Sequence, residues 1–204
     1  EKKPKFKKKM YGLLTFVIST TTPTTPTKLY TNIGFAKSLP GITAPFNYFD
    51  PLDCLNGLTT KEIMKYREAE ILHGRVSMIS TVAFFVQEKF HPLFPEAIGP
   101  AARQLDEVIQ SENGQALALT LLFCIMLTEI YRAKIGWMDP SEAIQELKPD
   151  YVPGELGFDP LNLYPPSYEK KLEMKNKELN NGRLAMIGIA GMVVQEVVTE
   201  KAIF

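Results

Sequence analysis

The sequence predicts an all-α membrane protein with three transmembrane helices, the first and third crossed and related by an internal pseudo-two-fold repeat. Three observations carry this prediction. Apolar runs lie at residues 76–86, 116–127 and 184–198, each continuing into proline-free flanks. The charges outside these runs are distributed unevenly between the two sides that a three-span topology would create. A pattern of polar residues also recurs inside the first and third runs.

The elements follow in chain order. Residues 1–45 read as a basic, mostly irregular arm, with six Lys against one Glu in the first nine positions. A short apolar stretch at 10–18 could form a helix, and with the lysines before it resembles the front of a signal peptide, but the Thr/Pro tract after it lacks the usual cleavage site. The domain proper is expected over 46–204, with spanning helices at about 60–90, 113–134 and 168–202. None holds 18 uninterrupted apolar residues, the mark of an ordinary span. A helix over 61–89 would nevertheless be about 43 Å long, enough for a hydrocarbon core with its headgroup zones.

Charge sets the orientation. Residues 1–67 hold 11 Lys and Arg and residues 132–177 hold seven, whereas residues 88–114 hold two against five acids. Positive loops stay on the side from which the chain inserts, so the N-terminus is expected there and the C-terminus opposite. Composition also excludes some functions. Lys and Arg equal Asp and Glu at 23 each, which argues against a general nucleic-acid binder. Cys54 and Cys124 are too few for a disulfide scaffold or a Cys-rich cluster, and His73 and His91 too few for a His-rich metal site.

The repeat is specific. At an offset of 108, Glu70, Gly74, Arg75, Met78, Ile79, Val86, Gln87 and Glu88 match Glu178, Gly182, Arg183, Met186, Ile187, Val194, Gln195 and Glu196. Upstream, the Phe-Asp-Pro-Leu of 49–52 recurs at 158–161. Glu70 and Arg75 stand about 140° apart around one helix, so they do not pair well within it. A lone charge is costly in an apolar medium. The pairing is therefore crosswise: Glu70 with Arg183, and Glu178 with Arg75. Gly74, Ser77 and Thr81 on one helix and Gly182 and Ala185 on the other give the small-residue faces that let backbones approach.

The remaining polar groups are isolated Lewis bases. His73 and Gln87 are 14 residues apart, as are Asn181 and Gln195. That spacing puts each pair on one face, about 21 Å apart. A metal held by protein alone needs three or four converging ligands. Single ligands spaced along a helix suit a metal that already carries four macrocycle nitrogens. Oxygen ligands and one imidazole suit Mg²⁺ better than a haem iron.

The segments Glu70-Ile-Leu-His73-Gly-Arg75-Val-Ser-Met and Glu178-Leu-Asn-Asn181-Gly-Arg183-Leu-Ala-Met resemble the signature helices of the chlorophyll-binding light-harvesting superfamily. The resemblance covers roughly residues 46–202. It implies that Glu70, His73, Glu129, Glu178, Asn181 and Gln195 ligate chlorophyll magnesium, with Arg75 and Arg183 in the locking ion pairs. Gln87 follows from the internal repeat, and His91 is either a further ligand or a helix-end residue. It also implies carotenoids in the grooves of the crossed pair, seated by the Phe-Asp-Pro-Leu segments, with Ser80, Ala83, Gly188 and Gly191 removing bulk beside them. The chain ends nine residues after Gln195, where green-plant antennae continue into a further helix, and Leu121 replaces a usual Gln. These features, with the motifs at 91–94 and 150–160, look closer to fucoxanthin chlorophyll a/c antennae, and some also resemble the stress-induced photoprotective branch.

The resemblance implies a non-enzymatic antenna apoprotein of the plastid thylakoid, N-terminus stromal. It would carry chlorophyll a, chlorophyll c (or b) and a fucoxanthin-type or other xanthophyll. Its partners would be a photosystem I or II core, neighbouring antenna subunits and thylakoid lipids, with no nucleic acid. Asp106, Glu107 and Glu112 would face the lumen, either as titrating regulators or as a plain solvated acidic face. Two rivals differ in class. A di-iron carboxylate bundle enzyme needs two Glu-x-x-His elements, and the second copy here is Glu178-x-x-Asn181. A pigment-free structural membrane protein leaves the ligand series without a purpose.

Overall fold

The computed structural model describes residues 26–90 and 99–203, which form five helices. These are α1 (Pro26–Ser38), α2 (Thr60–Lys89), α3 (Ala101–Ile109), α4 (Glu112–Gly136) and α5 (Tyr168–Thr199). Among the described residues β pairing is confined to an isolated bridge between Trp137 and Leu147. Helices α2, α4 and α5 are long and apolar enough to cross a membrane. At 30, 25 and 32 residues they measure about 45, 38 and 48 Å at roughly 1.5 Å per residue.

Local sequence sets where these helices begin. The Thr59 side chain accepts from the Glu62 amide at 3.4 Å, and the Glu62 carboxylate accepts from the Thr59 amide at 2.7 Å. This reciprocal cap satisfies amides that the first turn of α2 would otherwise leave open. Ser111 caps α4 by accepting from Gly114 at 3.0 Å. α5 ends on Glu200, whose left-handed backbone (φ 55°) turns the chain away.

α2 and α5 form the centre of the molecule. They cross where Gly74 meets Gly182: a Cβ built on either glycine would sit 2.9–3.1 Å from the other's Cα. Only glycine fits there, and the small-residue faces expected from the sequence meet at this point. α4 stands apart, for no Cα atom of it lies within 8 Å of α2 or α5. None of the residues in its apolar window is buried.

Two elements depart from expectation. Part of the arm read as irregular forms α1, which begins on Pro26, a residue preorganised for the first helical position, and meets its next proline only at Pro40. Arm and domain also interlock, since the Gly41 amide donates to Asn176 Oδ1 of α5 at 2.7 Å. The second element is α3, hidden in the loop between the first two spans. Its Ala101 and Gln104 are buried, and the Ala101 amide donates to Glu196 of α5, while Asp106 and Glu107 are exposed. The stretch at 10–18 and His91 lie outside the described residues.

Candidate pigment-binding site

The crosswise ion pairs are present. Arg183 donates to Glu70 Oε1 through Nε at 2.7 Å, and Arg75 Nε donates to Glu178 Oε1 at 2.6 Å. Each guanidinium also reaches a loop carbonyl: Arg183 the oxygen of Gly41, Arg75 that of Gly154. These glycines occupy equivalent places. Both follow a proline, both have positive φ (94° and 83°), and both present their amide to a polar residue nearly two helical turns before the crossing glycine. Gly41 donates to Asn176, and Gly154 donates to Glu68 at 2.9 Å. The two Asp residues of the Phe-Asp-Pro-Leu segments repeat the correspondence. Asp50 accepts from the amides of Cys54 and Leu55, and Asp159 from those of Leu163 and Tyr164. The pseudo-two-fold thus extends through both loops.

The halves differ in how their acids are neutralised. Glu70 is held from both sides, because Arg67 Nη1 donates to its Oε2 at 2.7 Å. Glu178 has Arg75 as its cation among the described residues. On α4, Arg132 grips Glu129 Oε2 through Nη2 at 2.6 Å and Nε at 3.1 Å. Glu129 Oε1 accepts nothing among the described residues, and its side chain is 47% exposed.

His73, Gln87, Glu129, Asn181 and Gln195 are all exposed, while Glu70 and Glu178 are half-buried at the crossing. They do not converge: among the described residues no group of three His, Cys, Asp or Glu could hold a bare metal ion. His73 is prepared as a single ligand. Its Nδ1 lies 2.7 Å from the Ala69 carbonyl, which can only accept, so Nδ1 carries the hydrogen and Nε2 is the ring nitrogen left for a metal. The side chains of Asn181 and Gln195 make no hydrogen bond among the described residues, although both stand on a spanning helix. A polar amide in hydrocarbon without a partner costs several kcal/mol, on the order of 2–7. A magnesium macrocycle fits this donor set, since it needs one oxygen or nitrogen from the protein and brings its own apolar bulk.

An open cavity of about 820 Å³ lies between the 36–55 segment and the crossed helices. Phe46, Phe49, Tyr66, Leu184 and Ile187 line it, with Glu70 and Arg183 at one wall. Phe49 and Phe158 of the repeated segments are 69% and 79% exposed. A Cβ on Gly188 or Gly191 would meet nothing within 4 Å, so these glycines border open space rather than a helix contact.

Three carboxylates carry more of the structure than the sequence suggested. Glu68 is buried and accepts from Tyr151 Oη at 3.1 Å as well as from Gly154. Loss of solvent and the adjacent Glu68 charge push the Tyr151 hydroxyl up to about 12. Glu196, 1% exposed, accepts from the amides of Ala101 and Ala102 at 3.0 and 2.8 Å and so caps α3. Glu155 bonds Lys175 at 2.6 Å, and that bond, with the ammonium charge, holds its carboxyl below the usual range. Glu196 was legible only as a repeated residue, and nothing local to Glu68 or Glu155 marks their partners.

The sequence profile described as Chlorophyll A-B binding protein matches residues 35–197. Light-harvesting complex stress-related protein 1, chloroplastic, of Chlamydomonas reinhardtii is 43% identical over 180 residues, covering 84% of this chain and 69% of that one. The fucoxanthin-chlorophyll a-c binding protein, chloroplastic, of Isochrysis galbana is 38% identical over 186 residues, covering 89% and 87%. The protein of the same description from Chattonella marina var. antiqua is 33% identical over 172 residues, covering 80% and 71%.

Proposed function

The chain belongs to the chlorophyll A-B binding protein family, and from that premise we propose that it holds chlorophyll a with chlorophyll c, and a fucoxanthin-type carotenoid, as an antenna of the thylakoid. It is a chlorophyll-binding light-harvesting protein with three membrane-capable helices. Its work is to keep pigments at fixed distance and orientation so that excitation passes to a photosystem core, directly or through neighbouring antenna subunits.

The observation that carries the reading is a set of single, non-converging oxygen and nitrogen ligands on the spanning helices, of which the Asn181 and Gln195 side chains make no hydrogen bond among the described residues. Glu70, His73, Glu129, Glu178, Asn181 and Gln195 each offer one oxygen or nitrogen to a magnesium, and Gln87 takes the position equivalent to Gln195. Arg183, Arg75 and Arg132 neutralise the three glutamates, which keeps a charged ligand tolerable in hydrocarbon. Bound pigment would absorb visible light, and its rings would fill the space that separates α4 from the crossed pair. Carotenoid end groups would rest on the 36–55 cavity and, in the other half, against the exposed Phe158 segment.

The asymmetry of charge supports a stromal N-terminus, with α3 on the lumenal side. Identity to a stress-related relative supports a second reading, in which the same pigments dissipate excitation instead of passing it on. Pigment extraction and chromatography on the natively purified protein test the first reading. Chlorophyll a with c and a fucoxanthin-type carotenoid are expected. Chlorophyll b would reassign the lineage, and a colourless folded protein would overturn the ligand series. Fluorescence lifetimes that shorten strongly on acidification would favour dissipation.

A further inference from the structure

The two halves of the molecule match at the crossing, the loop glycines and the Asp turns, but they part at Glu68. The repeat mate of Glu68 is Asn176. Both accept a loop amide, from Gly154 and from Gly41 respectively. Only Glu68 carries a charge, and only it reaches a third helix: its Oε1 lies 3.4 Å from Arg132 Nη1 of α4.

Arg132 therefore spans two carboxylates on different helices. Its Nη1 faces the buried Glu68, while Nε and Nη2 both hold Glu129 Oε2. An exposed Glu–Arg pair three residues apart on one helix is weakly held on its own, because both long side chains keep their rotamer freedom. Glu68 removes that freedom. It is 4% exposed, fixed by Tyr151 and Gly154, and it anchors the far end of the guanidinium where α4 makes no close backbone approach to α2. The planar fork then fixes which oxygen of Glu129 is occupied. Oε1 accepts no hydrogen bond among the described residues, so it is the oxygen left over for a ligand.

We propose that Glu68 is a positioning residue for the chlorophyll held by Glu129: through Arg132 it fixes the Glu129 carboxylate with Oε1 turned to the magnesium. The inference rests on the reading of Glu129 as a ligand. Asn176 marks the half of the molecule where no such third helix has to be aligned.

The test uses the holoprotein with its native pigments and three variants. Glu129→Leu removes the ligand and should remove a single chlorophyll with its low-temperature absorption band. Glu68→Gln keeps an acceptor for Gly154 but not the charge facing Arg132. It should lose that same band about tenfold faster on detergent challenge, the size of effect that partners of metal ligands have, with helical circular dichroism and the other bands unchanged. Tyr151→Phe removes a bond to the other oxygen of Glu68 and should keep the band. Wild-type retention of the band in Glu68→Gln overturns the proposal and leaves Glu129 a ligand. Loss of all bands together in Glu68→Gln assigns Glu68 to general packing and also overturns it. Retention of every chlorophyll in Glu129→Leu overturns the ligand reading itself, and the inference with it.

Discussion

Glu70 and Glu178 are equivalent by sequence and inequivalent by charge: Glu70 accepts from both Arg183 and Arg67, whereas Glu178 has Arg75 as its described cation. The position matching Arg67 is Lys175, and that lysine is committed to Glu155, 2.6 Å away. An exact two-fold would have left the two acids interchangeable. The substitution of Lys for Arg at one site breaks the tie.

Removing the two cross-pair arginines should therefore have unequal effects. Arg183→Met leaves Glu70 with Arg67, but Arg75→Met leaves Glu178 with no described cation inside a spanning helix. A hydrogen bond to a charged group contributes about 1.5–3 kcal/mol, and an abandoned charge adds to the loss. Arg75→Met should lower the thermal midpoint of the pigmented protein more than Arg183→Met. Equal midpoints would show that Arg67 gives Glu70 no support.

The crossing makes a second comparison available. Gly182→Ala places a methyl 2.9 Å from Gly74 Cα, so the backbones must separate, which costs about 1–3 kcal/mol as overpacking does elsewhere. Gly188→Ala adds the same methyl where nothing lies within 4 Å. Thermal melts should show a clear loss for the first. The second should leave apoprotein helicity intact and instead lower carotenoid content, because its methyl enters the groove assigned to the polyene.

Much of this was legible because the repeat preserves residue identity at a constant offset. The crosswise pairs follow from helical angles and the cost of a lone charge in an apolar medium, and the Gly74–Gly182 contact follows from the need to bring those charges together. Other features escape the same approach for physical reasons. Pro40-Gly41 and Pro153-Gly154 are equivalent in space but 113 residues apart, so a fixed offset of 108 or 109 passes over them. Glu68 is hidden because its mate is Asn176, and asymmetry is invisible to a search for matches. α3 is short, and its burial depends on a cap supplied from 95 residues away. α1 sits in a polar, proline-flanked stretch whose helicity owes more to contacts such as Asn32 with the Leu58 carbonyl than to its own pattern.

The Tyr151 hydroxyl gives an alkaline prediction. Its protonated form is favoured in the fold, with the value pushed up to about 12 from an ordinary 10. Below pH 10 both folded and unfolded chains keep the proton, and the contribution is complete. Between pH 10 and 12 the unfolded chain loses the proton first, so stability falls as pH rises. Tyr151→Phe should flatten the decline of the thermal midpoint over that window. An unchanged slope would mean that other groups govern the alkaline limb.

Glu196 supplies the last prediction. Its carboxylate holds the first two amides of α3 and places negative charge at that helix's N-terminus, where the backbone dipole favours it. α3 is only nine residues long, too short to persist without such support. Glu196→Ala should cost about 0.5–2 kcal/mol, the usual range for a lost cap, and the loss should stay local. Hydrogen exchange should accelerate over residues 101–109 while the crossing of α2 and α5 keeps its protection. Glu196→Gln keeps an acceptor but no charge, and should fall between the two. Should exchange in α3 stay at the wild-type rate in Glu196→Ala, the helix would be held by its apolar face and not by the cap.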